Sequence, residues 1–171
     1  MDPADLPRPN EAAPGPARVL PQGAVVEGLV DTALDATVRT GEAGVVRRLI
    51  AELGALGGDS RWEAASLLLG LLATRPVYGL GEQQGVERLR AVARAAEPVT
   101  ALVLSLQAVH RAEGASAARE TWEQAPEALR KLALAQLFIS VACTIGTGDG
   151  RLDPKRTVRL IRAVVIDAPA A

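Results

Sequence analysis

The 171-residue chain is 49% apolar but only 2% aromatic, and its 19 basic and 20 acidic side chains leave a formal net charge of −1. That balance excludes a global electrostatic pull towards nucleic acid or an anionic membrane, both of which call for a basic excess. A single cysteine, Cys143, excludes a disulfide framework and a cysteine-built metal cluster, and points to a reducing, cytoplasmic setting.

With so few aromatic residues the core must be built of Leu, Val, Ile and Ala, the packing stock of helices rather than strands. The expected fold is all-α: one compact bundle of about seven or eight helices over residues 23–167, preceded by a proline-rich, disordered arm. The alternative architecture is a short α-solenoid of helical hairpins.

The arm, residues 1–22, holds Pro3, Pro7, Pro9, Pro14, Pro16 and Pro21, with Leu6, Val19 and Leu20 as its sizeable apolar groups. Ordering it would cost about 1–2 kcal/mol per residue, more than three side chains return on burial. Asp2 and Asp5 stand where a secretion signal would be basic.

Val26, Leu29, Val30, Ala33 and Leu34 then fall at helical spacing up to Gly41, and Val45, Val46, Leu49, Ile50 and Leu53 repeat the pattern up to Gly54, Gly57 and Gly58. Asp59 or Ser60 can cap a third helix, with Glu63 near the capping-box position. Its run EAASLLLGLLA is apolar on most sides and reads as buried, with Gly70 suggesting a close helix contact. RPVYGLGEQ is expected to be an irregular connection.

A fourth helix over 83–96 turns Val86, Leu89 and Val92 inward, and a fifth begins at Pro98, a favoured first helical position. A short helix over 116–124 carries Trp122. The next helix, opening at Pro126, is apolar on nearly every side over 132–145 and should be wrapped by the others. With Gln136 and Ser140 inside it, that run falls short of the roughly 20 apolar residues that cross a bilayer. A final helix puts Val158, Leu160, Ile161, Val164 and Val165 on one arc, and Lys155, Arg156, Arg159 and Arg162 on the other. The four-residue end, 168–171, is a flexible tail.

Arg61-Trp62-Glu63 and Arg119-Glu120-Thr121-Trp122-Glu123 each precede a strongly apolar helix, which leaves a two-fold repeat of helix pairs conceivable. His110, on the inner face of the fifth helix with Glu113 nearby, is a candidate general base or a packed histidine at a helix C-terminus. Cys143 lacks the basic neighbour that activates a thiol and reads as core. Gln136, Ser140 and Thr144, four apart, either line a ligand cavity with His110 at its rim or bond back to carbonyls one turn earlier.

GTGDGRLD, 146–153, resembles the middle of an EF-hand calcium loop, with Thr147, Asp149, Gly150, Leu152 and Asp153 in matching places. Ile145 stands where the first ligand belongs and Arg156 where the closing glutamate would be, so no metal is expected. An Asp-Gly turn between helices is also similar, locally, to the tellurite-resistance B-like domains of bacteria. Here too Arg156 replaces an acidic residue, and metal binding does not carry over. An anion held by the turn with Arg151 and Lys155 lacks the spacing of a nucleotide loop.

No catalytic residue, metal or cofactor is expected. The leading expectation is a non-enzymatic domain that associates with another protein, or another copy of itself, through the arm or the basic surface of Arg151, Lys155, Arg156, Arg159 and Arg162. The alternatives are a small-molecule-binding or enzymatic bundle with a cavity at His110, Gln136, Ser140 and Thr144, and a homo-oligomeric structural protein. Neither nucleic acid nor membrane is an expected partner.

Overall fold

The computed structural model describes residues 22–145. Gln22, expected to end the arm, opens the first helix; residues 1–21, the GTGDGRLD stretch, the expected final helix with Arg151, Lys155, Arg156, Arg159 and Arg162, and residues 168–171 lie outside the described residues.

Seven α-helices make up the described chain: α1 (Gln22–Thr40), α2 (Ala43–Leu56), α3 (Ser60–Ala73), α4 (Glu82–Ala95), α5 (Pro98–Glu113), α6 (Ala115–Gln124) and α7 (Glu127–Ile145), with one 3-10 turn, Val77–Gly79. The breaks follow residue chemistry. Gly41, Gly57, Gly58 and Gly114 all take positive φ, which costs glycine little, and Pro98 opens α5. Glu97 caps α5, accepting from the backbone N–H of Thr100 at 2.9 Å and of Val99 at 3.2 Å. The Thr100 hydroxyl, which donates to the same carboxylate, is the main reason its pKa lies below the usual glutamate value.

α7 is the axis of the bundle. Its Ala133, Leu134, Ala135, Leu137, Phe138, Ile139, Val141 and Ala142 are all buried, and α1, α2, α3 and α5 pack around it. An apolar stripe of ordinary width would leave one side of this helix wet; here the apolar character runs round it and so does the protein. In a solenoid each hairpin would touch only its neighbours, but α7 packs against α1, so the bundle and not the solenoid is realised. α4 stands outside the main core and rests on α5 and the 3-10 turn through Val86, Leu89, Ala108, Val77 and Leu104. Gly85 lets the turn approach closely there: a β-carbon on it would lie 3.1 Å from Val77 Cβ, so Val77 would have to give by a few tenths of an ångström.

Two expectations about α3 are corrected. Asp59 holds the N-cap position but makes no side-chain cap bond; its carboxylate turns instead to Arg119, 60 positions further along, at 2.8 Å. The helix is covered on most sides, as expected, with one flank open. Trp62, Ala64, Ala65, Leu68 and Leu69 are buried, whereas Leu71 is 38% exposed and Leu67 only partly covered. Gly70 makes no close helix contact: a β-carbon on it would meet nothing within 4 Å. The connection after α3 contains the 3-10 turn, with Tyr78 exposed and held at φ 50°, in the left-handed region.

No single described helix is long and apolar enough to cross a membrane.

Candidate functional site: a groove along α3

At one end of the bundle the start of α1, the α2–α3 turn, the end of α6 and the start of α7 converge. Gln22 Nε2 donates to Ser60 Oγ at 2.7 Å and Gly57 O at 3.3 Å, and the buried Ser60 hydroxyl donates to Gly57 O at 2.6 Å. Trp62 and Trp122 meet with ring centroids 6.1 Å apart and planes tilted by 50°. The two Arg/Trp/Glu stretches that hinted at a repeat are thus partners in one contact. Arg119 adds a clamp, bonding Asp59 and, at 2.8 Å, Glu123; these two carboxylates, Glu123 first, raise its pKa.

Trp62 and Asp59 divide two clefts. The smaller, about 220 Å³, lies between the α2–α3 turn and α7 and is lined by Arg61, Arg130, Lys131, Glu123 and Glu127 beside the tryptophans. Its charges are largely matched: Glu127 faces Arg61 at 3.5 Å and Lys131 at 3.6 Å. The guanidinium of Arg61 lies against Gly54, where any β-carbon would collide with it.

The larger is a groove of about 560 Å³ running along α3 from Asp59 to Leu71, with the first turn of α1 as its other wall. Val26, Trp62, Leu67 and Leu71 supply its apolar surface, Gly23 and Gly70 leave it open, and Glu27 and Glu63 stand along it. Neither glutamate is in an ion pair among the described residues, and the buried Oε2 of Glu63 accepts no hydrogen bond. The groove thus combines an apolar floor with carboxylates that have no cationic partner among the described residues.

Gly70 gives this groove a testable signature. A glycine inside a helix destabilises it by roughly 0.5–1 kcal/mol relative to alanine, and here no neighbour forbids the methyl. Gly70→Ala should therefore raise stability by about that amount in urea unfolding. A loss of stability would mean that another element packs on this flank.

The residues expected to line a cavity or to bond back along their helix make the following contacts. Gln136 Nε2 donates to Thr100 Oγ1 at 3.2 Å, between α7 and α5; Ser140 Oγ donates to Gln136 O at 2.8 Å and Thr144 Oγ1 to Ser140 O at 2.7 Å. The two hydroxyls thus bond back one turn. Neither of the two clefts described above is lined by these three residues or by His110. His110 is half-buried with Nδ1 unpartnered, and burial, seconded by the Arg111 charge, lowers its pKa. Cys143 is half-buried and unbridged.

Two features of the structure had escaped the sequence reading. The groove had one signal, an all-round apolar helix interrupted by a glycine that nothing fills. Arg111 had none: its side chain is only 4% exposed, and Nη2 donates to Leu72 O at 2.6 Å and Arg75 O at 2.7 Å, closing the C-terminus of α3 from α5. Nη1 lies 3.9 Å from Glu82 at the start of α4, so one guanidinium ties three helices.

By fold this is a helical bundle presenting an open groove along one of its core helices. No family model, curated protein or solved structure matches the chain.

Proposed function

We propose that the protein is a non-enzymatic helical association domain that binds another protein, and that its receptor surface is the α1–α3 groove. The occupant is a short extended segment with one or two aliphatic side chains next to an arginine or lysine. The observation that carries this reading is the pairing of an open apolar flank, Leu67 and Leu71 on either side of Gly70, with two glutamates that have no cationic partner among the described residues. Such complementarity sets orientation and partner choice, while the aliphatic contacts supply affinity. The charged groups at the neighbouring end of the bundle are instead spent on one another, Arg119 with Asp59 and Glu123, Glu127 with Arg61 and Lys131. The basic residues Arg151, Lys155, Arg156, Arg159 and Arg162 give the same domain a second surface, suited to an acidic protein, and a reducing cytoplasmic compartment fits its single thiol.

Selection of a random peptide library on the full chain tests the groove. Enriched peptides should carry an aliphatic pair beside a basic residue and should lose binding to Leu71→Asp, a substitution at an exposed position. Enrichment that ignores Leu71→Asp, or none at all, would contradict the reading.

A further inference from the structure

The groove opens where the N-terminal segment enters the fold. Gln22 is pinned to Gly57 and Ser60, and the next residue, Gly23, already lines the groove, so the chain before it arrives at the Asp59 end. Residues 16–21, Pro-Ala-Arg-Val-Leu-Pro, contain two of the three large aliphatic side chains of the segment 1–21 and, at Arg18, the only charge between residues 12 and 21. Length also matches. The twelve-residue step from Asp59 to Leu71 along α3 is about 18 Å, and six residues in a polyproline-type extension cover about 19 Å.

We propose that residues 16–21 of the same chain occupy the α1–α3 groove, with Leu20 and Val19 over Trp62 and Leu67, the long side chain of Arg18 reaching Glu27 and Glu63, and Pro16 at the Leu71 end. This rests on the reading of the groove as a peptide receptor and deepens it: the domain carries its own competitor. Tethered next to its site, the segment acts at an effective concentration in the millimolar range, so an incoming partner must displace it. Proline on both sides of the Ala-Arg-Val-Leu core pre-extends it, which lowers the ordering cost of docking and suits a tryptophan-bearing groove.

The test uses the full chain and a fluorescein-labelled synthetic peptide of residues 12–22, AAPGPARVLPQ, as probe. The full-length double variant Val19→Asp/Leu20→Asp should bind the probe at least about tenfold more tightly than the unaltered chain, because its own segment no longer competes. Adding Leu71→Asp, or separately Glu27→Arg at an exposed position, should abolish that gain. A probe with Arg18→Glu should bind more weakly. Equal affinity in the unaltered chain and the double variant, including no binding to either, overturns the inference, as does a gain that survives both groove substitutions. If library-selected peptides bind the groove while this probe does not, the self-docking idea falls and the receptor reading stands; if neither binds, both fall.

Discussion

Replacing Phe138 by alanine should lower the stability of the domain by about 3–5 kcal/mol, the cost of removing a large aromatic side chain from a packed interior. Phe138 is the only phenylalanine of the chain, 1% exposed at the middle of α7. It is flanked by Leu134, Leu137 and Ile139, themselves no more than 1% exposed, so the site has little freedom to collapse around a void. Set against a total stability of about 5–15 kcal/mol, the loss is a fifth or more, and the melting temperature should fall by about 10 °C. Leu80→Ala, at a position 36% exposed, should change stability by no more than about 0.5 kcal/mol. Thermal and urea unfolding followed by circular dichroism would separate the two; equal effects would mean that α7 is not the packed axis.

The second large effect is expected at Arg111. Its guanidinium donates to two carbonyls at the end of α3, and it does so as a cation at the negative end of a helix. Hydrogen bonds to charged groups contribute about 1.5–3 kcal/mol each. Arg111→Met keeps the apolar stem and removes both bonds, and should cost about 3 kcal/mol, or roughly 6–12 °C in melting temperature. Arg111→Lys should fall between, since an ammonium is a point charge where a fork meets two carbonyls. A melting temperature unchanged in Arg111→Met would show that water caps α3 equally well. Because Arg111 also approaches Glu82, the loss should loosen α4, visible as faster amide exchange there.

These two residues differ in how readable they were. Phe138 sits in a run so apolar that only enclosure explains it, and the boundaries of that helix, expected at Pro126 and found at Glu127, were marked by proline. The fourth helix, expected over 83–96, is found at Glu82–Ala95 for similar reasons of local chemistry. Arg111 follows His110 near the end of an amphipathic helix, where arginine is ordinarily solvated. Its destination depends on the carbonyls of Leu72 and Arg75 being close in space, which no local pattern encodes. The same holds for Asp59, whose short-range role as a cap loses to a cation 60 positions away. The groove falls between these cases. The all-round apolar character of α3 was legible and was read as burial, whereas its exposed flank follows from how α1 and α6 are placed beside it. The hydroxyls of Ser140 and Thr144 needed no cavity, because carbonyls one turn back were within reach.

Everything positioned on this fold, the α3 groove included, depends on α7 being the enclosed axis. Native-state hydrogen exchange measures that directly. Backbone amides of residues 133–142 should be the slowest in the molecule, opening only with global unfolding, while those of the peripheral α4 exchange by local opening at lower free energy. Amides of 133–142 exchanging as fast as those of α4 would contradict the account.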